Sequence, residues 1–271
     1  MNFRYELEGE PVDVVVEGQT IRGDARVLLG EDDDLTQGRP WAERGFVVAP
    51  FLAPSSYRDL VEGVRARLAS SLREAGAVVP ADIQLTDYHH YIQSSDMHLR
   101  ALRDARSGYS LREFPIALEE VTSRVSELLG LRVTPYNQLH GLDKWHVRVI
   151  RPASRDHNPL HRDVWLDRLR NAVNIYVPLA GSTRDSALPL VPGSHRWPES
   201  ELLRTAQGAT VDGISYTVPA VVGSDRPLRL VRPTPREDEL LLFSPYLVHG
   251  GAKNRGDVTR CSLEMRFWRA S

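Results

Sequence analysis

Only one cysteine, Cys261, occurs in 271 residues, so no intrachain disulfide can form and no thiolate-built zinc cluster is available. A reducing, cytoplasmic setting is the expectation, and any metal site must use histidine and carboxylate. Charge of one sign is also missing. The 34 basic and 36 acidic residues leave a formal net charge of -2. Nucleic-acid binders usually carry a basic surplus, so no nucleic-acid partner is expected. No apolar run approaches the ~20 residues that cross a bilayer. The opening stretch, Met1 to Glu10, is acidic rather than basic-then-apolar, so neither a membrane partner nor a signal peptide is expected. Internal repeats and Gly-rich phosphate loops are absent as well. What remains is ordinary globular material, 41% apolar and 26% charged, long enough for one large domain with a sizeable core or for two small ones.

The patterning changes along the chain. Gly45-Phe46-Val47-Val48 reads as a short strand stopped by Pro50 and Pro54. A helix then follows, capped by Ser55 or Ser56. Its apolar stripe is Leu60, Val61, Val64, Leu68 and Leu72, and Gly76 ends it. A second helix begins near Pro115, with Ile116, Val121, Val125, Leu128 and Leu129 as its stripe and Gly130 as its stop. Between them, Asp82 to Arg106 is polar and rich in Tyr, His and Arg. From Lys144 short strands take over: Trp145 to Ile150, Ala172 to Leu179, Leu228 to Val231, Glu239 to Phe243 and Cys261 to Trp268. Helices first and strands after suggest an α+β chain with a β-sandwich or barrel core covered on one face by helices. The stretch from Ser200 to Pro227 holds Gly208, Gly213 and Gly223 and reads as a long loop, a candidate lid.

His161 and Asp163 lie two residues apart. On an extended chain they share a face, so imidazole and carboxylate converge. Leu247-Val248-His249-Gly250-Gly251 offers a second histidine after an apolar run, where two glycines permit a sharp turn. Two histidines and one carboxylate with open positions opposite form the ligand set of non-haem iron(II) oxygenases. A dicarboxylate cosubstrate needs a cationic anchor. Arg260 and Ser262 again share a face, and guanidinium plus hydroxyl suits a carboxylate. Arg255 is the rival, but Lys253-Asn254-Arg255-Gly256 reads as a turn.

Together these pieces resemble the phytanoyl-CoA dioxygenase-like family of 2-oxoglutarate oxygenases. The matching elements are Leu160-His161-Arg162-Asp163, Leu188 to His195 (LPLVPGSH), Val248-His249-Gly250 and Arg260-Cys261-Ser262, in that order, with Gly45 to Val48 as the leading strand. They run over roughly Gly45 to Phe267. Ser186-Ala187 stands where the family usually has an Asn-Gly pair. The resemblance implies a double-stranded β-helix (jelly-roll, cupin-like) core with N-terminal helices packed on one face. It implies one oxygenase domain over 1–271, in which 1–143 are mainly helical cover plus a leading strand and 144–271 carry most of the β-helix. It also implies Fe(II), 2-oxoglutarate and O2 as cofactors, with His161, Asp163 and His249 as metal ligands and Arg260 with Ser262 at the distal carboxylate. Gln138 and Asn174 are the candidates for a further cosubstrate contact. The implied activity is hydroxylation of an unactivated C–H with release of succinate and CO2, and the abundance of Arg and His suggests a small polar or anionic metabolite as the substrate. Related halogenases carry a small residue where Asp163 stands, so the retained carboxylate favours hydroxylation, or another oxidation such as desaturation, over halogenation.

Competing readings attach to each feature. A surface ion pair is the plain alternative for His161 and Asp163, and a satisfied core histidine for His249. Asp87/His89 and Asp96/His98 repeat the spacing in reverse but lack flanking strands. His195 reads as structural, Trp165 and Trp268 as packing, and Cys261 as a buried small residue facing away from Arg260. Tyr88, His89, His90, Tyr91, Gln93 and Arg100 either line a substrate pocket or form a polar helix face. At the level of function, the alternatives are a cupin-like metal enzyme that does not use 2-oxoglutarate and a non-catalytic β-sandwich binding module.

Overall fold

The structure, a computed structural model, describes residues 1–270. It opens on strands rather than helices. β1 (Asn2–Leu7) and β2 (Glu10–Glu17) form an antiparallel hairpin. The turn between them is Glu8-Gly9, with φ of 54° and 83°, the two-residue turn whose twist matches paired strands. Phe3, Tyr5 and Leu7 are buried while Asn2, Arg4 and Glu6 face solvent. That is the two-residue period of a half-buried strand, masked in the sequence by the many charges interleaved with it. β3 (Thr20–Arg22) follows. The helices-first order therefore does not describe the first 22 residues.

β4 (Phe46–Pro50) leads into α1 (Pro54–Glu74), which buries Leu60, Val64, Leu68 and Leu72. Neither Ser55 nor Ser56 caps this helix. Pro54 starts it, preceded by Ala53 without a side-chain cap. Proline at the first position is preset for the helix and lacks an N–H that would be unsatisfied anyway. The polar region folds as short pieces, α2 (Ser95–Ala101) and α3 (Arg103–Ser107), followed by β5 (Tyr109–Ser110). α4 (Leu118–Leu129) begins two residues beyond Ile116 and ends on Gly130 in the left-handed conformation. β6 (Val133–Thr134) closes this part.

β7 (Lys144–Ile150) and β8 (Ala172–Ala180) belong to the layer that carries the helices. Four of the seven strands that follow, β9 (Leu202–Thr205), β10 (Ala209–Val211), β11 (Ile214–Tyr216) and β12 (Val221–Ser224), occupy the stretch expected to be a loop. The lid expectation is thereby corrected. Asp212-Gly213, with φ of 48° and 81°, is a hairpin turn like Glu8-Gly9. β10 pairs with β2, β9 pairs with β3, and the Val221 N–H donates to the Leu160 carbonyl at 2.7 Å. A segment so tied is a wall and not a flap. β13 (Arg229–Leu230), β14 (Glu239–Phe243) and β15 (Arg260–Arg269) complete the chain.

The main sheet runs β4-β14-β8-β15-β7-β5, with β6 also on β15. Its pairings are antiparallel. One face of β15 presents Cys261, Leu263, Met265 and Phe267 to the core shared with α1 and α4. Opposite lies a second layer whose rungs are Val231–Leu190, Leu190–His249 and His249–His161. The chain thus passes from β7 to the His161 segment, to β8, to Leu190 and Val231, to β14, to His249 and to β15. It keeps crossing between a layer ordered β14-β8-β15-β7 and one ordered 231-190-249-161. That path is a double-stranded β-helix, and the space between its layers holds the site.

Candidate metal centre

His161 and His249 face each other as neighbours in the second layer, each donating its N–H to the other's carbonyl (3.0 and 2.9 Å). Tight backbone makes this possible. Gly250 and Gly251 have φ of 84° and 79°, and a Cβ on Gly251 would lie 2.5 Å from the Leu160 nitrogen. Each imidazole is oriented by its own strand: Nδ1 of His161 meets the Pro159 carbonyl at 2.8 Å, and Nδ1 of His249 meets the Leu247 carbonyl at 2.9 Å. A carbonyl only accepts, so each Nδ1 carries a proton and Nε2 is the ring nitrogen turned toward Asp163. Nε2 of His161 lies 3.2 Å, and that of His249 3.9 Å, from Oδ1 of Asp163. One ligand atom from each of the three residues falls within 4.8 Å of the others, and all three residues are buried. Among the described residues this is the one such cluster of His, Cys, Asp or Glu, so the reversed pairs at Asp87/His89 and Asp96/His98 build no competing site.

The far oxygen of Asp163 is held as firmly. Oδ2 accepts from Asn174 Nδ2 (2.8 Å) on β8 and from Arg266 Nη2 (2.8 Å) and Nε (3.2 Å) on β15. Burial alone would raise the Asp163 pKa. The Arg266 guanidinium and the two imidazoles outweigh it and hold the group well below the usual carboxylate range. Burial, with His161 adding to it, pushes His249 down to about 4. The site thus turns one carboxylate oxygen and two imidazole Nε2 atoms toward one another, a donor set suited to a divalent transition metal.

Arg162, between the two candidate ligands, points away from them. Its guanidinium is buried against the Glu199 carboxylate and donates to the carbonyls of Ser194 and Trp197. Trp165 Nε1 completes the clamp on Glu199 at 2.9 Å. The Pro-Gly-Ser-His segment has an equally structural task. Ser194 Oγ accepts from Val248 N–H (2.8 Å), one residue before His249, and donates to the Val191 carbonyl (2.7 Å). His195 Nε2 donates to the Ala42 carbonyl at 2.9 Å. The Trp268 indole donates to the Arg170 carbonyl and takes no part in the site.

A cavity of about 470 Å³ opens in front of the triad, and Arg148, Asp156, His157, Asn174, Arg260, Glu264 and Arg266 are among its lining residues. Arg260 is 2% exposed, whereas Arg255 is exposed in its turn. Arg260 Nη1 donates to the Ser186 carbonyl (2.8 Å), Nη2 pairs with Asp156 (2.9 Å), and Nε is buried without a partner. The Ser262 hydroxyl is likewise buried without a hydrogen-bond partner; it sits beside Tyr176, behind the residues that line the cavity. Asn174 lines the cavity but spends its amide on Asp163, leaving its Oδ1 unpartnered. Gln138 is not brought to the site; it is exposed in a turn and does not line the cavity. Tyr88, His89, His90, Tyr91, Gln93 and Arg100 do not line it either.

Arg148, Asp156, Glu264 and Arg266 were not singled out from the sequence. Glu264 and Arg266 continue the alternation begun by Arg260 and Ser262, and Arg148 falls between the apolar Val147 and Val149. Reading the alternation to the end of each strand would have found three of the four. Glu264 pairs with Arg148 at 2.8 Å; burial raises its pKa, but Arg148 outweighs this and draws it down to about 2.

A two-histidine, one-carboxylate set inside a double-stranded β-helix, with a buried arginine on the last strand, defines the class of iron- and 2-oxoglutarate-dependent oxygenases. The family model for phytanoyl-CoA dioxygenase (PhyH) matches residues 41–262, and the chain belongs to that family. Its members use Fe(II), 2-oxoglutarate and O2, and the protein is an oxygenase of that kind. No match is found among curated proteins. Solved structures that resemble it include AviO1 from Streptomyces viridochromogenes Tue57, at 17% identity over 88% of this chain and 96% of that one (TM-score 0.49). EctD from S. alaskensis, with 2-oxoglutarate and 5-hydroxyectoine, shares 18% over 94% and 84% (TM-score 0.48). SnoN, an epimerase from nogalamycin biosynthesis, shares 15% over 85% and 80% (TM-score 0.45). No helix among the described residues is long and apolar enough to cross a membrane.

Proposed function

We propose that the protein hydroxylates an unactivated C–H bond of a small polar or anionic metabolite, with His161, Asp163 and His249 holding the iron. The convergence of their three ligand atoms within 4.8 Å on a buried cavity carries this reading. Bound Fe(II) with 2-oxoglutarate and O2 supplies the oxidant, and 2-oxoglutarate leaves as succinate and CO2. The chain's own residues do the rest. The Nδ1 contacts fix both imidazoles, and Asn174 and Arg266 fix the carboxylate so that Oδ1 faces the imidazoles. Arg260 and Ser262 receive the distal carboxylate of 2-oxoglutarate. Their buried, unpartnered Nε and hydroxyl are what support that assignment, since buried polar atoms are normally satisfied. Burial of the site limits water around the reacting carbon.

Protein purified without oxygen should bind about one Fe(II) per chain, and His161→Ala should lose it. Substrate-stimulated succinate formation should vanish in His161→Ala and require far more 2-oxoglutarate in Arg260→Gln. Iron binding unchanged by His161→Ala would overturn the assignment.

A further inference from the structure

Beside the metal cavity lies a larger groove of about 1210 Å³. The two are neighbours through Asp156 and His157, which line both. The groove carries four cationic side chains, Arg106, Arg151, Arg155 and Lys253, against two carboxylates, Asp156 and Asp212. Both carboxylates are already engaged. Asp156 pairs with Arg260 from the cavity side, and Asp212 pairs with Arg155. Neither Arg106, Arg151 nor Lys253 makes an ion pair with any carboxylate among the described residues. Arg151 also has its Nε buried without a hydrogen-bond partner. Arg151 and Arg106 lie close together: both bear on His98, another groove residue, and add to the burial that lowers its pKa to about 4, while Lys253 stands beside Arg155 and Asp212.

Uncompensated cations facing one concavity repel each other, and the arrangement is relieved by a bound anion. The groove is more than twice as large as the cavity in front of the triad. We infer that the groove binds the anionic group, phosphate or carboxylate, of the prime substrate on Arg151, Arg106 and Lys253, while the rest of that substrate reaches past Asp156 and His157 to the metal cavity. This rests on the iron-site reading above and adds to it the charge of the substrate and the place where that charge sits.

The test uses the metal-free full-length protein, with inorganic pyrophosphate and propane-1,2,3-tricarboxylate as probes in separate calorimetric titrations at low salt. At least one probe should bind the wild type, and the stronger identifies the anionic group. Arg151→Gln/Lys253→Gln should weaken it tenfold or more, and Arg151→Lys/Lys253→Arg should restore binding, which separates loss of charge from misfolding. No binding to the wild type, or equal binding to the glutamine variant, would overturn the groove assignment. Thermal stabilisation of the wild type by Mn(II) with 2-oxoglutarate reports separately on the iron site: its presence without probe binding would leave that site standing and remove only the groove.

Discussion

Arg266 offers a discriminating test of how the metal site is tuned. Outer partners of a metal ligand usually orient it and raise its basicity, and their loss weakens metal binding roughly 10- to 100-fold. Arg266 differs because it places a cation on Oδ2 of Asp163, through contacts of 2.8 and 3.2 Å, and so lowers the donor strength of that carboxylate. Its removal also leaves Asn174 at 2.8 Å on the same oxygen, so orientation survives. A buried hydrogen bond to a charged group is worth about 1.5–3 kcal/mol. Arg266→Gln should therefore destabilise the metal-free protein by about 2 kcal/mol, because Asp163 loses its guanidinium. Much of that loss should return when a divalent cation binds. At about 1.4 kcal/mol per decade, metal affinity of the folded variant should rise on the order of tenfold. Asn174→Ala removes a neutral donor and the restraint on rotation, so it should weaken the metal instead. Anaerobic competition titrations of Fe(II) or Mn(II) against a fluorescent chelator, with melting curves of the metal-free proteins, read both quantities. If Arg266→Gln weakens the metal as Asn174→Ala does, Arg266 is an orienting partner and the electrostatic reasoning fails.

Three further outcomes follow from particular contacts. Asp156 pairs with Arg260 where a cosubstrate carboxylate is expected, so Asp156→Asn should destabilise the cosubstrate-free protein by about 3 kcal/mol and bind 2-oxoglutarate roughly tenfold more tightly; weaker binding by calorimetry would show that Asp156 orients Arg260 and does not compete. Arg162→Ala strands the buried Glu199 carboxylate and should lower stability by about 3–5 kcal/mol, a loss of roughly 10 °C in melting temperature; a change under 2 °C would refute the clamp. His195 is buried and held neutral, its pKa lowered by burial to about 4. The unfolded chain, at about 6.5, binds the proton first, so stability declines as pH falls below 6.5 and the loss is complete near 4. Between pH 6.5 and 5 this amounts to on the order of 2 kcal/mol, and denaturant melts of His195→Gln should lack that increment.

Local chemistry wrote much of this protein into its sequence. The i, i+2 spacing of His161 and Asp163, the Gly-Gly pair after His249 and the alternation of β15 follow from backbone geometry alone, so ligand candidates and anchor could be named without coordinates. The stripes of α1 and α4 are equally local, and so is the stop at Gly130. The hairpin turns at Glu8-Gly9 and Asp212-Gly213 went unread, because their strands are short and charged and strand identity depends on a partner. Only tertiary structure supplied those partners, turning 200–227 from a loop into a wall tied to β2 and β3. It alone also decided which polar groups meet. Arg148 with Glu264, Arg266 with Asp163 and Asp156 with Arg260 join residues up to 116 positions apart, and nothing in local spacing encodes which cation reaches which carboxylate. The sequence by itself determined the chemistry of the candidate metal donors, because that depends on residue type and strand period. The folded chain decided what holds them, what neutralises the proposed anchor, and where positive charge without an ion-pair partner is left facing solvent, because those depend on long-range proximity and burial.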